Sequence, residues 1–231
     1  MYLPDVGGEV HVKGAYLTGA PVFAVKTATG FYAELGLPVS GGMTMVHDAM
    51  TGTLRPIERV TVWGRRQAAQ QYRRDMAAAG VPVSIAATAR EAVQGAEVVI
   101  TVTSSTAPLV EAGWLGRGAH VTAVGSDMPH KQELNPRILV AAGKYVPDSI
   151  DAAAASGELH HALEAGLLEV GSVYGELTAV ASGRLAGRTA GDELTVADLT
   201  GLRIQDAAVA ALAARLAGEH GVGRDVPLGD W

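Results

Sequence analysis

From Arg55 to about residue 200, short apolar runs alternate with stretches that read as helices, and this alternation constrains the fold more than any other feature. "RVTVWG" is a short strand. "RRQAAQQYRRDMAAAG" follows as a helix that stops at Gly80. "VPVSIAA" is a strand, and "TAREAVQG" is a short helix opened by Thr88 and stopped by Gly95. "AEVVITVTSS" has the continuous β-branched run expected of a strand buried on both faces. "HVTAVGS" and "KYVPDS" are further strands. Between them, "NPRILVAAG" is a helix with Asn135 as cap, Pro136 in its first turn and Gly143 as terminator. "DAAAASGELHHALEAGLL" is largely helical. Strands alternating with helices pair in parallel through right-handed crossovers. Residues 55–204 therefore read as an α/β, Rossmann-like doubly wound parallel sheet.

The flanking segments have a different texture. "EVHVKGAYL" and "PVFAVKTATGF" alternate polar with apolar residues, are punctuated by Gly14, Gly19 and Gly30, and are followed by a third such piece, "GGMTMVHDAMTG". This is a mainly antiparallel meander with one wet face. "GLRIQDAAVAALAARLAGEHGVG" is an amphipathic helix with Ile204, Ala207, Ala208 and Ala211 on one face. Residues 1–54 and 205–231 are expected to form a second, smaller α+β domain.

Composition bounds the function. Hydrophobic residues make up 48% of the 231, enough for a real core, and a net charge of −6 argues against nucleic acid or an anionic membrane as the main partner. No apolar run is long enough to cross a bilayer, and the N-terminus "MYLPDVGGEVHVKG" has neither the basic start nor the apolar block of a leader. The absence of cysteine removes disulfides, thiolate metal sites and a cysteine nucleophile, and suits a cytoplasmic protein.

In open parallel sheets ligands sit outside the carboxyl ends of the strands. Three such ends carry candidates. After "VTVWG" come Arg65 and Arg66. In a dinucleotide domain the end of the second strand reads the adenosine ribose, where arginine accommodates a 2′-phosphate and so favours NADP over NAD. The same pair also reads simply as solvated charge opening a helix. After "ITV", Thr103, Ser104 and Ser105 offer hydroxyl and backbone donors, or a plain cap and loop. In "AVGSDMPHKQEL", Val124, Gly125 and Ser126 bring backbone close to a bound group, and Asp127 projects beyond them. A partly buried carboxylate there can exchange a proton near neutral pH, although Asp and Pro in that place also make an ordinary turn.

Lysines are few. Lys13 and Lys26 both lie inside alternating strands, where a wet face turned toward the α/β domain would form one wall of a cleft suited to a carboxylate. His160 and His161 are adjacent, so they point to different helix faces. No metal-ligand spacing occurs, and these two read as surface or capping residues. Neither a GxSxG elbow nor a Walker A loop is present.

Taken in order, "HVKGAYL", "FAVKTATGF", "HDAMTG", "VTVWGRR", "ITVTSSTAPLV", "HVTAVGSDMPHKQEL", "SGELHHAL", "GDELTVADLTG" and "GLRIQDAAVA" resemble the ornithine cyclodeaminase/mu-crystallin family. The resemblance covers nearly the whole chain. It implies a homodimer built through the meander domain and a Rossmann domain that binds NAD(H) or NADP(H). It also implies activity on a small amino or imino acid, as an imine or ketimine reductase or an amino-acid dehydrogenase. A cyclodeaminase that recycles its NAD, or a non-catalytic protein like mu-crystallin that binds NADPH or a small ligand, are the alternatives. By the same resemblance Asp127 matches the family's acid/base aspartate and Lys26 its substrate-pocket lysine.

One departure is large. The Gly-rich turn that follows the first Rossmann strand has no counterpart, nor does the preceding helix with its Thr-Arg pair. "MTGTL" runs directly into the lead-in of the second strand. The family pattern also begins ahead of "MYLPDVGG", with a helical segment and another substrate-binding arginine. A doubly wound sheet needs a first strand, a turn and a helix before "VTVWG". Their loss would expose apolar neighbours, so a longer natural chain is expected, with an intact mass above 23.7 kDa.

Overall fold

The computed structural model describes residues 2–3, 8–16, 23–31, 59–64, 66–78, 80–202, 211, 213 and 215–222, with the side chains before residue 59 outside the description. The chain divides into two compact units, residues 1–40 with 201–231, and residues 41–200.

The first unit contains a three-stranded meander: β1 (Tyr2–Leu3), β2 (Gly8–Tyr16) and β3 (Phe23–Phe31). Both pairings are antiparallel, as the alternating pattern predicts. The β2–β3 register runs from Gly8 opposite Phe31 to Tyr16 opposite Phe23 and sets Lys13 opposite Lys26. The expected third piece, residues 41–52, lies outside the described residues. So does most of the C-terminal amphipathic stretch, of which residues 215–220 are helical.

The second unit is the α/β body. Its strands are β4 (Val60–Val62), β5 (Val83–Ile85), β6 (Val98–Thr101), β7 (Thr106–Val110), β8 (His120–Ala123), β9 (Gln132–Leu134), β10 (Lys144–Pro147) and β11 (Thr195–Asp198). Its helices are α1 (Arg66–Ala78), α2 (Ala89–Val93), α3 (Arg137–Ala141), α4 (Ile150–Ser156), α5 (Glu158–Glu164) and α6 (Leu177–Ala181). The helix boundaries follow the local chemistry. Thr88 Oγ1 accepts from Glu91 N at 3.1 Å, and the Glu91 carboxylate reaches back to Ala87 N at 2.8 Å. Asn135 Oδ1 accepts from Arg137 N at 3.0 Å, capping α3. Gly80 and Gly95, each with φ of 79°, end their helices in the left-handed conformation that glycine adopts most cheaply.

All strand pairs in this unit are parallel, which is the Rossmann-like arrangement the sequence predicts. The main sheet has the order β10-β11-β8-β6, with β4-β5 and β7-β9 as separate two-stranded sheets. The main sheet therefore ends at β6, and β4 and β5 do not join it. A doubly wound sheet carries its first strand between the second and the fourth. In this chain that strand would lie between β4 and β6, where the ladder breaks.

One face of the main sheet holds the core. Val99, Val121, Ala123 and Val196 pack with Ile138, Ala153, Leu159 and Ala162 from α3, α4 and α5. Burial alternates along β6, β8 and β11, so "AEVVITVTSS" is buried on one face rather than both. The opposite face lines an open cavity of about 520 Å³ walled by Val98, His120, Val146, Val180, Arg188 and Ala197.

Candidate active site

The carboxyl ends of β6 and β8 lie side by side, because these strands pair in register from Val98 opposite His120 to Thr101 opposite Ala123. The chain leaves β8 through Val124, Gly125 and Ser126 and turns at Asp127. The turn closes where Lys131 N donates to Met128 O at 2.9 Å. An aspartate in a turn commonly bonds its own backbone. Asp127 does not. Its Oδ1 accepts from Lys131 Nζ at 2.8 Å, and among the described residues its Oδ2 carries no hydrogen bond. The lysine is buried while the aspartate side chain keeps 29% of its exposure, so the carboxylate is held from inside and open from outside.

Behind this turn stands Glu133, fully buried on β9. Its Oε1 accepts from Thr103 N at 2.6 Å and its Oε2 from Gly125 N at 2.7 Å. One carboxylate thus bridges the loops that leave β6 and β8. Gly125 is obligatory here, since a methyl in place of its hydrogen would collide with the Thr103 carbonyl oxygen and the Glu133 carboxyl.

Two further buried acids extend the network. Glu158, at the start of α5, accepts from Glu133 N at 2.7 Å and Leu134 N at 3.1 Å. Asp198, at the end of β11, accepts from Glu158 N at 2.8 Å and from the Tyr145 hydroxyl at 2.6 Å. Burial pushes the Glu158 carboxyl up to about 8, against the pull of its backbone bonds, and pushes Asp198 up to about 7. Burial, reinforced by the neighbouring Asp198, also raises the Tyr145 phenol.

The expected site residues fall into three groups. Thr103, Gly125 and Asp127 come together at the β6 and β8 ends, with Val124 and Ser104 beside them, half-buried. Ser105 and Ser126 lie in the same loops, but their hydroxyls are taken up by backbone carbonyls: Ser105 Oγ donates to Ala107 O at 2.6 Å and Ser126 Oγ to Lys131 O at 2.7 Å. Ser126, only 1% exposed, offers its surroundings no free hydroxyl. The third group is outside the description. Arg65 is not described, Arg66 opens α1 but its side chain is not described, and Lys13 and Lys26 are placed by backbone register alone.

Lys131, Glu133 and Glu158 escape a reading by residue type. The signal was present in "SDMPHKQEL", where Lys131 stands four residues after Asp127. His161 is also placed differently from expectation. Its Nε2 lies 2.6 Å from Lys131 O, which ties α5 to the Asp127 turn rather than to solvent. Among the described residues no group of histidine and acidic side chains is arranged to hold a metal ion.

The sequence profile of the ornithine cyclodeaminase/mu-crystallin family matches residues 27–217, most of the chain. The chain belongs to this family. A cyclodeaminase of Sinorhizobium fredii that has not been characterised is 33% identical to it, over 96% of this chain and 84% of that protein. That alignment spans 278 positions, more than the 231 residues of this sequence, so the relative carries residues within the matched span that have no counterpart here. The iminosuccinate reductase of Paracoccus denitrificans is 32% identical, over 99% of this chain and 72% of that protein. Among solved structures, an archaeal alanine dehydrogenase dimer with bound NAD superposes with a TM-score of 0.77 at 25% identity, covering 99% of this chain and 87% of that one. The named relatives in the family are enzymes of amino- and imino-acid chemistry, and their Rossmann-like fold is the fold of this chain.

Proposed function

We propose that this family member is an NAD(P)-dependent oxidoreductase acting on a small amino or imino acid, with Asp127 as its proton-transfer group. The observation that carries the proposal is the Asp127 carboxylate at the end of β8, with Oδ1 held by Lys131 and Oδ2 without a hydrogen bond among the described residues. The relatives named for iminosuccinate and alanine support the substrate class.

The described residues suit the nicotinamide half of the cofactor. The loops after β6 and β8 meet closely at Gly125, and the backbone of Thr103, Ser104, Val124 and Gly125 would border that half, with Ser105 and Ser126 shaping the loops from within. When bound, the cofactor supplies or accepts a hydride at the substrate α-carbon. Asp127 Oδ2 delivers or removes the proton that accompanies it, or activates water at the imine carbon. Lys26, with Lys13 opposite it on the β2–β3 ladder, binds the substrate carboxylate. Arg65 and Arg66 favour NADP(H). We read the protein as a cytoplasmic homodimer, a reading supported by the dimer of the archaeal alanine dehydrogenase. Domain assignment follows the same reading, with residues 55–204 holding cofactor and residues 1–54 with 205–231 holding substrate and the dimer contact. In this sequence no counterpart of the first strand, turn and helix stands before "VTVWG".

Asp127→Asn preserves shape and removes the base. With NADPH or NADH and either iminosuccinate or Δ1-pyrroline-2-carboxylate, turnover should fall by about 100-fold or more while cofactor affinity holds. Unchanged turnover refutes the role. Fluorescence titration with NADPH and NADH should show tighter binding of NADPH, and Arg65→Ala with Arg66→Ala should abolish the difference. Failure to bind either cofactor counts against both the oxidoreductase and the cyclodeaminase readings. The likeness to a cyclodeaminase supports a second reading, in which ammonia leaves ornithine with no net change in NAD(P)H. Ammonia release measured against absorbance at 340 nm separates lyase from oxidoreductase.

A further inference from the structure

Glu133 has no role in hydride or proton transfer, yet it is fully buried beneath the site with two backbone amides as its hydrogen-bond partners among the described residues. Burying a carboxylate is costly unless its oxygens are satisfied by donors in good geometry. Here each oxygen takes one amide, from Thr103 at 2.6 Å and Gly125 at 2.7 Å. The two amides belong to different loops, leaving different strands. No neutral side chain can do the same work. Glutamine of equal length offers one acceptor and turns its other end into a donor facing an N–H.

The anchor is itself anchored. Glu133 N donates to Glu158 Oε1, Glu158 N donates to Asp198 Oδ2, and Asp198 Oδ2 also accepts the Tyr145 hydroxyl. Each acid in the series receives the backbone amide of the next. The series starts on β10, passes β11, the start of α5 and β9, and ends on the loops after β6 and β8. At its far end the loops are in such close approach that Gly125 has no room for a Cβ beside the Thr103 carbonyl and the Glu133 carboxyl.

We infer that Glu133 is a positioning residue, a two-armed clamp that sets the spacing of the two strand-end loops and thereby the width of the slot that receives the nicotinamide end of the cofactor. The slot part rests on the oxidoreductase reading above, whereas the clamp does not. Loss of one arm lets one loop move away from the other. Asp127, two residues beyond Gly125, moves with the second loop.

The test uses the full chain, with amide hydrogen exchange read residue by residue and NADPH or NADH titrated by fluorescence. In the wild type the Thr103 and Gly125 amides exchange slowly despite lying in loops. In Glu133→Ala both should exchange at least about tenfold faster, and in Glu133→Gln one of them should, while the β8 amide of Val121 keeps its protection. A general loss of structure would release Val121 as well, so the contrast separates a clamp from a stabiliser. Should Glu133→Ala not fold, the isosteric Glu133→Gln carries the measurement. Cofactor affinity should weaken about tenfold in Glu133→Gln, with Glu133→Asp no better because it cannot span both loops. Unchanged exchange at Thr103 and Gly125 in both variants overturns the clamp. Faster exchange with unchanged cofactor affinity overturns its role in the slot. If the wild type has protected amides but binds neither NADPH nor NADH, the clamp stands and the oxidoreductase reading falls.

Discussion

Lys131 reaches Asp127 across a single turn, and the pair shows why residue type alone was a poor guide to this site. Aspartate followed closely by proline usually makes a turn. It does so here, but the carboxylate is then held by a buried ammonium rather than by its own backbone. Removing that ammonium without changing bulk, by Lys131→Met, frees Oδ1 and lets the carboxylate leave its orientation. We expect kcat to fall at least about tenfold, as an off-geometry proton donor would, with cofactor Kd unchanged. Steady-state kinetics beside a fluorescence titration checks this. A matching loss of cofactor affinity would mean that the lysine supports the loop rather than the carboxylate. Asp127 and Gly125 could be read from "AVGSDMPHKQEL" because strand ends and glycines leave marks in sequence. Glu133 and Glu158 could not, since their partners are backbone amides 8 to 30 residues away and any sequence has those.

At the scale of elements, α5 begins with an acid whose carboxyl lies between β9 and β11. Both Glu158 and Asp198 have their protons held more tightly in the folded protein than in the unfolded chain, at about 8 and about 7 against ordinary values of 4.5 and 3.8. Between about pH 4 and pH 8 the folded state therefore binds more protons than the unfolded state. Stability from these groups is complete below their unfolded values and is lost as pH rises through 7 and 8. The slope can reach about 1.4 kcal/mol per pH unit for each group within its window. Melting temperature should accordingly decline from pH 5 to pH 9, and Glu158→Gln should flatten the decline. A melting temperature that rises over that range, or a Glu158→Gln profile parallel to the wild type, would contradict the assignment. The helices and strands themselves were legible. Thr88, Asn135, Gly80 and Gly95 act locally, and local chemistry is what a sequence displays. The placement of β11 between β10 and β8 was not legible, because "TVAD" is separated by 47 residues from the strand it follows in the sheet and nothing local encodes that neighbour.

At the scale of the α/β unit, the break between β4 and β6 has physical consequences. The sequence announced the missing strand through the direct passage from "MTGTL" to "RVTVWG". It could not show that the sheet would separate into β4-β5 and a four-stranded piece ending at β6. Edge strands that are apolar and uncovered invite pairing with another chain, and proteins normally blunt them with charge or a covering element. β6 has neither among the described residues. Val98 on β6 is 37% exposed, and on the separated pair Trp63 and Ile85 next to or at the strand ends are each 38% exposed. The 231-residue chain is therefore expected to self-associate through this edge at micromolar concentration. Val98→Lys, which places a charge on the cavity-facing side of this edge strand without touching the Asp127 turn or Glu133, should reduce that association. Light scattering on size-exclusion fractions of both proteins measures it. A Val98→Lys protein as associated as the wild type would show that this edge is covered in solution.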